Sequence, residues 1–168
     1  TFVLPADEGS TRKVQIFTPT REVPFAGHPN IGTAFVLATA GEFGEIAEST
    51  EVVFEEKAGW VRISIRKSDQ GAISCELKAP QVFSLGKELP AEMVAEALCL
   101  SASEIVTDIR SPIVASVGLP FLMVELRDRS VLQKAGINPI GFERIADQGV
   151  MPDIHLYVRS DDEFDIRA

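Results

Sequence analysis

The chain has 168 residues, of which 45% are apolar and 24% charged, a composition that excludes global disorder and a coiled coil. Sixteen Lys and Arg stand against 25 Asp and Glu, a net charge of −9. Such an acidic chain is a poor partner for nucleic acid or an anionic membrane surface, because both need clustered cations.

Thr1-Phe2-Val3-Leu4 already has strand character, as does the closing stretch from Glu163 to Ala168. Natural ends usually fray into polar residues, so both ends are expected to be cut within folded structure. Lys13–Phe17 puts Val14 and Ile16 on one face, and Glu51–Glu55 holds the run Val52-Val53-Phe54. Val61, Ile63 and Ile65 alternate with polar residues, and so do Ile73, Cys75 and Leu77. A period of two predicts strands with one face buried and one wet. Asp69-Gln70-Gly71 predicts the hairpin turn between the last two, with Gly71 at positive φ. Among these strands lies Pro29–Ala40, without a charge and almost without a polar face. A helix apolar all round predicts a buried helix. Pro29 suits its first turn and Gly41 the position just past its end.

The pattern changes between Pro80 and Pro90, which predicts a boundary there. Pro90–Leu98 places Met93, Val94, Ala97 and Leu98 on one helical stripe. Ser101 and Glu104 have the spacing of a capping box. Ile113–Val117 and Phe121–Leu126 predict strands around Gly118-Leu119-Pro120. Asp128 or Ser130 is set to cap a helix through Ala135, ended by Gly136, and Pro139–Asp147 predicts another. Ile154–Val158 and Phe164–Ile166 predict strands. The fold class is therefore α+β in two lobes: residues 1–80, with the buried helix 29–40, and residues 81–168.

Few residues offer chemistry. Cys75 lies on a core-facing alternation, and Cys99 at the end of an amphipathic helix is expected to be packed. Two thiols without CxxC spacing point to a reducing cytoplasm. Ala34–Ala38 is far too short to span a bilayer, and no secretory signal is visible. The two histidines and two cysteines are too scattered for an N/S metal shell, so no metal is expected. Asp161-Asp162-Glu163 reads as a solvated turn, and His155 as a surface strand residue. His28 is different. In Pro24-Phe25-Ala26-Gly27-His28-Pro29 it sits at the start of the apolar helix, beside a glycine that lets a ligand reach the backbone. Free N–H groups of a first turn carry partial positive charge and suit a carboxylate or phosphate. An imidazole there can shuttle a proton or simply cap the helix, and spacing leaves both open.

The run IFTPTREVPFAGHPNIGTA, Ile16–Ala34, resembles the PhzF-like family of phenazine-biosynthesis isomerases. Ser116-Val117-Gly118-Leu119-Pro120-Phe121 resembles a second segment of that family, and Thr1–Leu4 the strand that follows its catalytic glutamate. The resemblance implies a diaminopimelate-epimerase-like fold: two lobes, each a twisted, mostly antiparallel sheet around a central helix, the second lobe unfinished at Ala168. It implies cofactor-independent, metal-free acid–base chemistry that moves a proton on a small cyclic amino or carboxylic acid such as a dihydro-hydroxyanthranilate. His28 then carries over as an acid–base group, and Gly27 and His28 as the substrate-contacting turn. The family's glutamate is expected before Thr1, and its Asp-Pro and Gly-Ser turns after Ala168, so the chain should hold only part of the site. A small carboxylate is the implied ligand, and a homodimer follows family habit. The rival reading is a non-catalytic fragment or small-carboxylate-binding module with the same fold. The absence of cysteine at position 28 argues against a thiol-based racemase.

Overall fold

The computed structural model describes residues 1–7, 9–160 and 162–168. The chain separates into two compact units, Thr1–Val82 with Val117–Leu119, and Phe83–Ser116 with Pro120–Ala168.

The first unit holds β1 (Phe2–Leu4), β2 (Arg12–Phe17), β3 (Glu22–Val23), helix α1 (Gly27–Thr39), β4 (Thr50–Glu56), β5 (Gly59–Lys67) and β6 (Ile73–Lys78). The strands form one sheet in the order β1-β2-β4-β5-β6, with β3 also on β2. Pairing is antiparallel except between β2 and β4, which run parallel. The period-two pattern is realised in burial: Val14 and Ile16, Val52 and Phe54, and Val61, Ile63 and Ile65 all turn into one core. Each fully buried aliphatic or aromatic side chain of this kind contributes about 1.5–3 kcal/mol. The β5–β6 hairpin turns as expected, with Gly71 at φ 83°.

Helix α1 corrects one expectation. It starts two residues before Pro29, at Gly27, and it is not buried all round. Asn30, Ala34 and Ala38, spaced by four, form its buried stripe against β5 and β6. Phe35 and Val36 on the other side are 45% and 62% exposed. The absence of charge reports that a helix can be buried, while the packing elements decide on how many sides. Its end conforms: Gly41, at φ 78°, lets the N–H of Glu42 reach the carbonyl of Leu37, and its own N–H that of Ala38. That is a Schellman closure.

The second unit holds β7 (Ser84–Glu88), α2 (Ala91–Ala97), β8 (Ile113–Ser116), β9 (Pro120–Glu125), α3 (Arg129–Lys134), α4 (Pro139–Asp147), β10 (Ile154–Arg159) and β11 (Ile166–Arg167). Its sheet runs β11-β10-β9-β8-β7, antiparallel except between β9 and β10. Leu122, Val124 and Val158 on one sheet face meet Val94, Leu98, Val131 and Ile145 from the helices. Asp128 is the N-cap of α3, accepting from the N–H groups of Ser130 and Val131 at 2.8 and 3.1 Å. The Ser101–Glu104 capping box closes around a single 3₁₀ turn. Among the described residues no helix is long and apolar enough to cross a membrane.

Three readings are corrected here. Strand β7 was not expected; its residues are all exposed and include one large apolar side chain, so no alternation announces it. The last strand is Ile166–Arg167 rather than Phe164–Ile166. Asp162 drives that shift. It accepts from the Phe164 N–H and from Arg129 and Arg167, which makes a turn of the stretch before β11. The Phe164 N–H foremost, then the Ser160 side chain and Arg167, hold its carboxyl down at about 2, so Asp162 organises the turn rather than merely facing water. Glu163 is exposed, and Asp161 lies outside the described residues. Finally, Cys99 is exposed rather than packed. It takes the left-handed position after α2, at φ 57°, with Leu100 N–H on the carbonyl of Ala95 and its own N–H on that of Glu96. The closure is the one Gly41 makes after α1, and it swings the thiol outward.

Two substitutions test this packing. A Cβ on Gly141 of α4 would lie 2.5 Å from Ala97 Cα of α2, so the helices must separate. Gly141→Ala is expected to destabilise the fold by about 1–3 kcal/mol, read as a lower urea midpoint. Cys99→Gly relieves a left-handed side chain worth about 1–2 kcal/mol and gives back about 0.5–1 kcal/mol of glycine chain entropy. A small rise in Tm is expected, and a fall would contradict this account of the α2 terminus.

Candidate functional site at the start of helix α1

The chain approaches α1 through a braced segment. After β2 a turn is tied by Thr18, whose N–H and hydroxyl both donate to the carbonyl of Arg21, at 2.8 and 3.1 Å. Val23 and Phe25 are then buried. The tip of the β4–β5 hairpin holds the segment from the side, as the Ala58 N–H donates to the Pro24 carbonyl at 3.0 Å. Gly118 braces it again. At φ 138°, a Cβ there would lie 3.0 Å from Pro80 Cγ and 3.3 Å from Phe25 Cδ1, so the close approach to Phe25 requires glycine. Gly118, in the Val117–Leu119 stretch of the first unit, thus supports the entry to α1.

Ala26 is the N-cap, in extended conformation, and it has no side chain with which to cap. Gly27 and His28 are the first two helical residues, and Pro29 is the third. The cap position that His28 could have filled therefore belongs to Ala26. The first turn contains no acidic residue, so nothing anionic within it offsets the partial positive charge of the helix end. His28 is exposed. A Cβ on Gly27 would meet nothing within 4 Å, and its φ is not positive. Neither packing nor backbone strain in this chain accounts for the glycine, and the space in front of the helix end stays open.

Below the same turn lies a polar pair that sequence reasoning missed. Asn30 is fully buried, and neither its Oδ1 nor its Nδ2 has a hydrogen-bond partner among the described residues. Glu56, at the end of β4, has both carboxyl oxygens shielded from solvent and likewise without a partner among the described residues. Burial pushes Glu56 up to about 7, and the nearby Asn30 amide works against that rise. The two groups are thus neighbours without closing a hydrogen bond of good geometry. A signal for Glu56 was available, since continuing the alternation Val52, Phe54 by one step puts it on the inward face. Asn30 likewise lies four and eight residues before Ala34 and Ala38.

The other candidates lie elsewhere. His155 is exposed on β10, stacked on Tyr157 with ring centroids 6.5 Å apart. With Met123 and Arg159 it lines a shallow hollow of about 520 Å³. Cys75 is partly buried at the edge of the first core, and burial raises its thiol pKa. Among the described residues no group of three or more His, Cys, Asp or Glu is placed to hold a metal ion.

Comparison with known proteins bears on this geometry. The sequence matches the PhzC-PhzF family, described as phenazine biosynthesis-like protein, over residues 1–168. It is 35% identical over 140 residues to an uncharacterised isomerase of Mesorhizobium japonicum, an alignment that covers 80% of this chain and 43% of that protein. It is 32% identical over 95 residues to trans-2,3-dihydro-3-hydroxyanthranilate isomerase of Pseudomonas aeruginosa, covering 56% of this chain and 32% of that protein. The chain thus spans less than half the length of these curated relatives. The fold is that of the PhzF-family phenazine biosynthesis protein of Bacillus anthracis, with a TM-score of 0.77 at 21% identity over 98% of this chain and 54% of the other. That architecture is the diaminopimelate-epimerase-like, α+β fold expected from the motifs. The family match over residues 1–168 makes this chain a member of the phenazine biosynthesis-like, PhzC-PhzF family.

Proposed function

We propose that the first turn of α1 is the substrate-contacting half of an isomerase site that moves a proton on a small cyclic amino or carboxylic acid. The observation that carries this is the exposed His28 at a helix end without a side-chain cap, beside a glycine whose open side nothing in the fold explains. Backbone N–H groups of Gly27 and His28 are suited to receive a substrate carboxylate, with the helix dipole favouring the anion. Pro29 has no N–H to add. A Cβ at position 27 would stand where the ligand approaches. An imidazole beside that carboxylate can donate or accept a proton at a neighbouring ring carbon, without a metal or cofactor. The match to the Pseudomonas isomerase supports trans-2,3-dihydro-3-hydroxyanthranilate, or a close analogue, as the first substrate to try.

The test is isomerisation of that compound in D₂O, followed by NMR for product and for deuterium at the exchanged carbon. His28→Ala is expected to lower kcat by about 10²–10⁴-fold, with a smaller loss of stability than the 0.5–2 kcal/mol, approximately, of a lost cap. His28→Asn keeps a hydrogen bond and loses proton exchange, so it should bind substrate and remain slow. A fully active His28→Asn would make His28 an orienting group instead. Gly27→Ala is expected to leave Tm unchanged or slightly raised and to increase KM. Carboxylate binding that depends on Gly27, with no deuterium exchange for any dihydro amino acid tried, would replace the isomerase by a small-carboxylate-binding module.

A further inference from the structure

We propose that Glu56 is a positioning residue for the Gly27–His28 turn: its protonated carboxyl pairs reciprocally with the Asn30 amide beneath α1, and ionisation of Glu56 breaks that pair and releases the turn. The consequence for catalysis rests on the reading of the turn given above, while the pairing itself does not.

Four buried polar atoms lie beneath the turn. Asn30 Oδ1 and Nδ2 and both oxygens of Glu56 lie out of reach of solvent, and none has a hydrogen-bond partner among the described residues. Buried polar groups without partners are rare. The two side chains are neighbours, and their donor sets are complementary in only one protonation state. A carboxylic acid offers one O–H and one carbonyl oxygen, which match the oxygen and N–H of an amide in a closed ring. A carboxylate offers acceptors alone, so Asn30 Oδ1 would face negative charge with no donor. Among the described residues no cation pairs with Glu56. Lys13 is engaged by Asp7 and Glu55, Arg12 by Glu42, and Lys57 by Glu22. His28, the remaining titratable group of the helix start, is exposed. Among the described residues, burial and Asn30 act on the acidity of Glu56, and burial dominates.

The connection to the turn is short and stiff. Residues 28 and 30 are separated by about 200° around the helix, so His28 lies outside and Asn30 inside. Pro29 between them has a fixed φ, and the Asn30 N–H donates to the carbonyl of Ala26 at 3.3 Å. The Glu56 end of β4 is tied to the approach segment through Ala58 and Pro24. A change at the pair is therefore carried to Ala26, Gly27 and His28. The sign follows from the raised pKa. The native fold holds the Glu56 proton more tightly than the unfolded chain, so its contribution to stability is full below about 4.5 and is lost as pH rises through about 7.

The direct test is a ¹³C carboxyl titration of Glu56 in the unaltered 168-residue chain, with backbone amides followed from about pH 5 to about pH 9. The amides are read in a His28→Gln background, so that the imidazole titration does not contribute. A Glu56 midpoint within about one unit of 7, shared by the amides of Ala26, Gly27 and Asn30, is expected. Glu56→Gln should abolish the shared transition and hold those amides near their acid-side positions, because Gln keeps both a donor and an acceptor. A midpoint near 4.5 in the unaltered chain overturns the proposal without any variant, as does a shared transition that survives Glu56→Gln. In an enzyme that turns over substrate, Glu56→Gln should move the alkaline limb of kcat/KM, and an unmoved limb overturns the positioning role. Loss of the isomerase reading would leave the NMR result intact, so the two failures are told apart.

Discussion

Ala34 and Ala38 present only methyl groups to β5 and β6, and this lets α1 settle close against the sheet. Larger side chains on that stripe would lift the helix and open the core between Phe54, Val61 and Ile63, all of which are fully buried. The height of the helix sets where its first turn lies. The hairpin contact from Ala58 to Pro24 and the glycine-only contact of Gly118 on Phe25 then fix the direction from which the chain enters it. The site proposed there, two backbone N–H groups and one imidazole, would need that precision, because none of its parts can reach far to compensate.

Much of this was legible in the amino-acid sequence where local chemistry and tertiary packing agree. Pro139–Asp147 has proline at its first position and an amphipathic pattern, and it forms α4 with those bounds. Asp128 caps α3 because a short acidic side chain before a helix has backbone donors waiting. The inward rows of β2 and β5 followed from alternation alone. The motif from Ile16 to Ala34 led to the helix start where Gly27 and His28 now lie.

What was not legible depends on partners distant in sequence. A helix without charges looks the same whether one side or all sides are covered, so the exposure of Phe35 and Val36 could not be read. Strand β7 exists because β8 offers it an edge, and its own residues carry no alternating signal. Cys99 ends an amphipathic helix, but the reversal after Leu98 decides its direction, and that reversal turns it out. Glu56 escaped for another reason. A glutamate at the end of a strand is usually a solvated residue, and only its place in the row of Val52 and Phe54 marks it as inward.

That last residue bears on how the turn is built. Helix α1 could have had an aliphatic side chain at position 30, continuing the stripe of Ala34 and Ala38, and β4 one at position 56. Two such side chains would remove four buried polar atoms and the cost of covering them. An apolar pair would be equally well packed at every pH. A pair made of an amide and an acid is well matched only while the acid holds its proton, so the seat of the turn depends on solution conditions in a way an apolar seat would not. The choice of residues therefore exchanges a permanent anchor for a conditional one, directly beneath the two residues with an open approach from solvent.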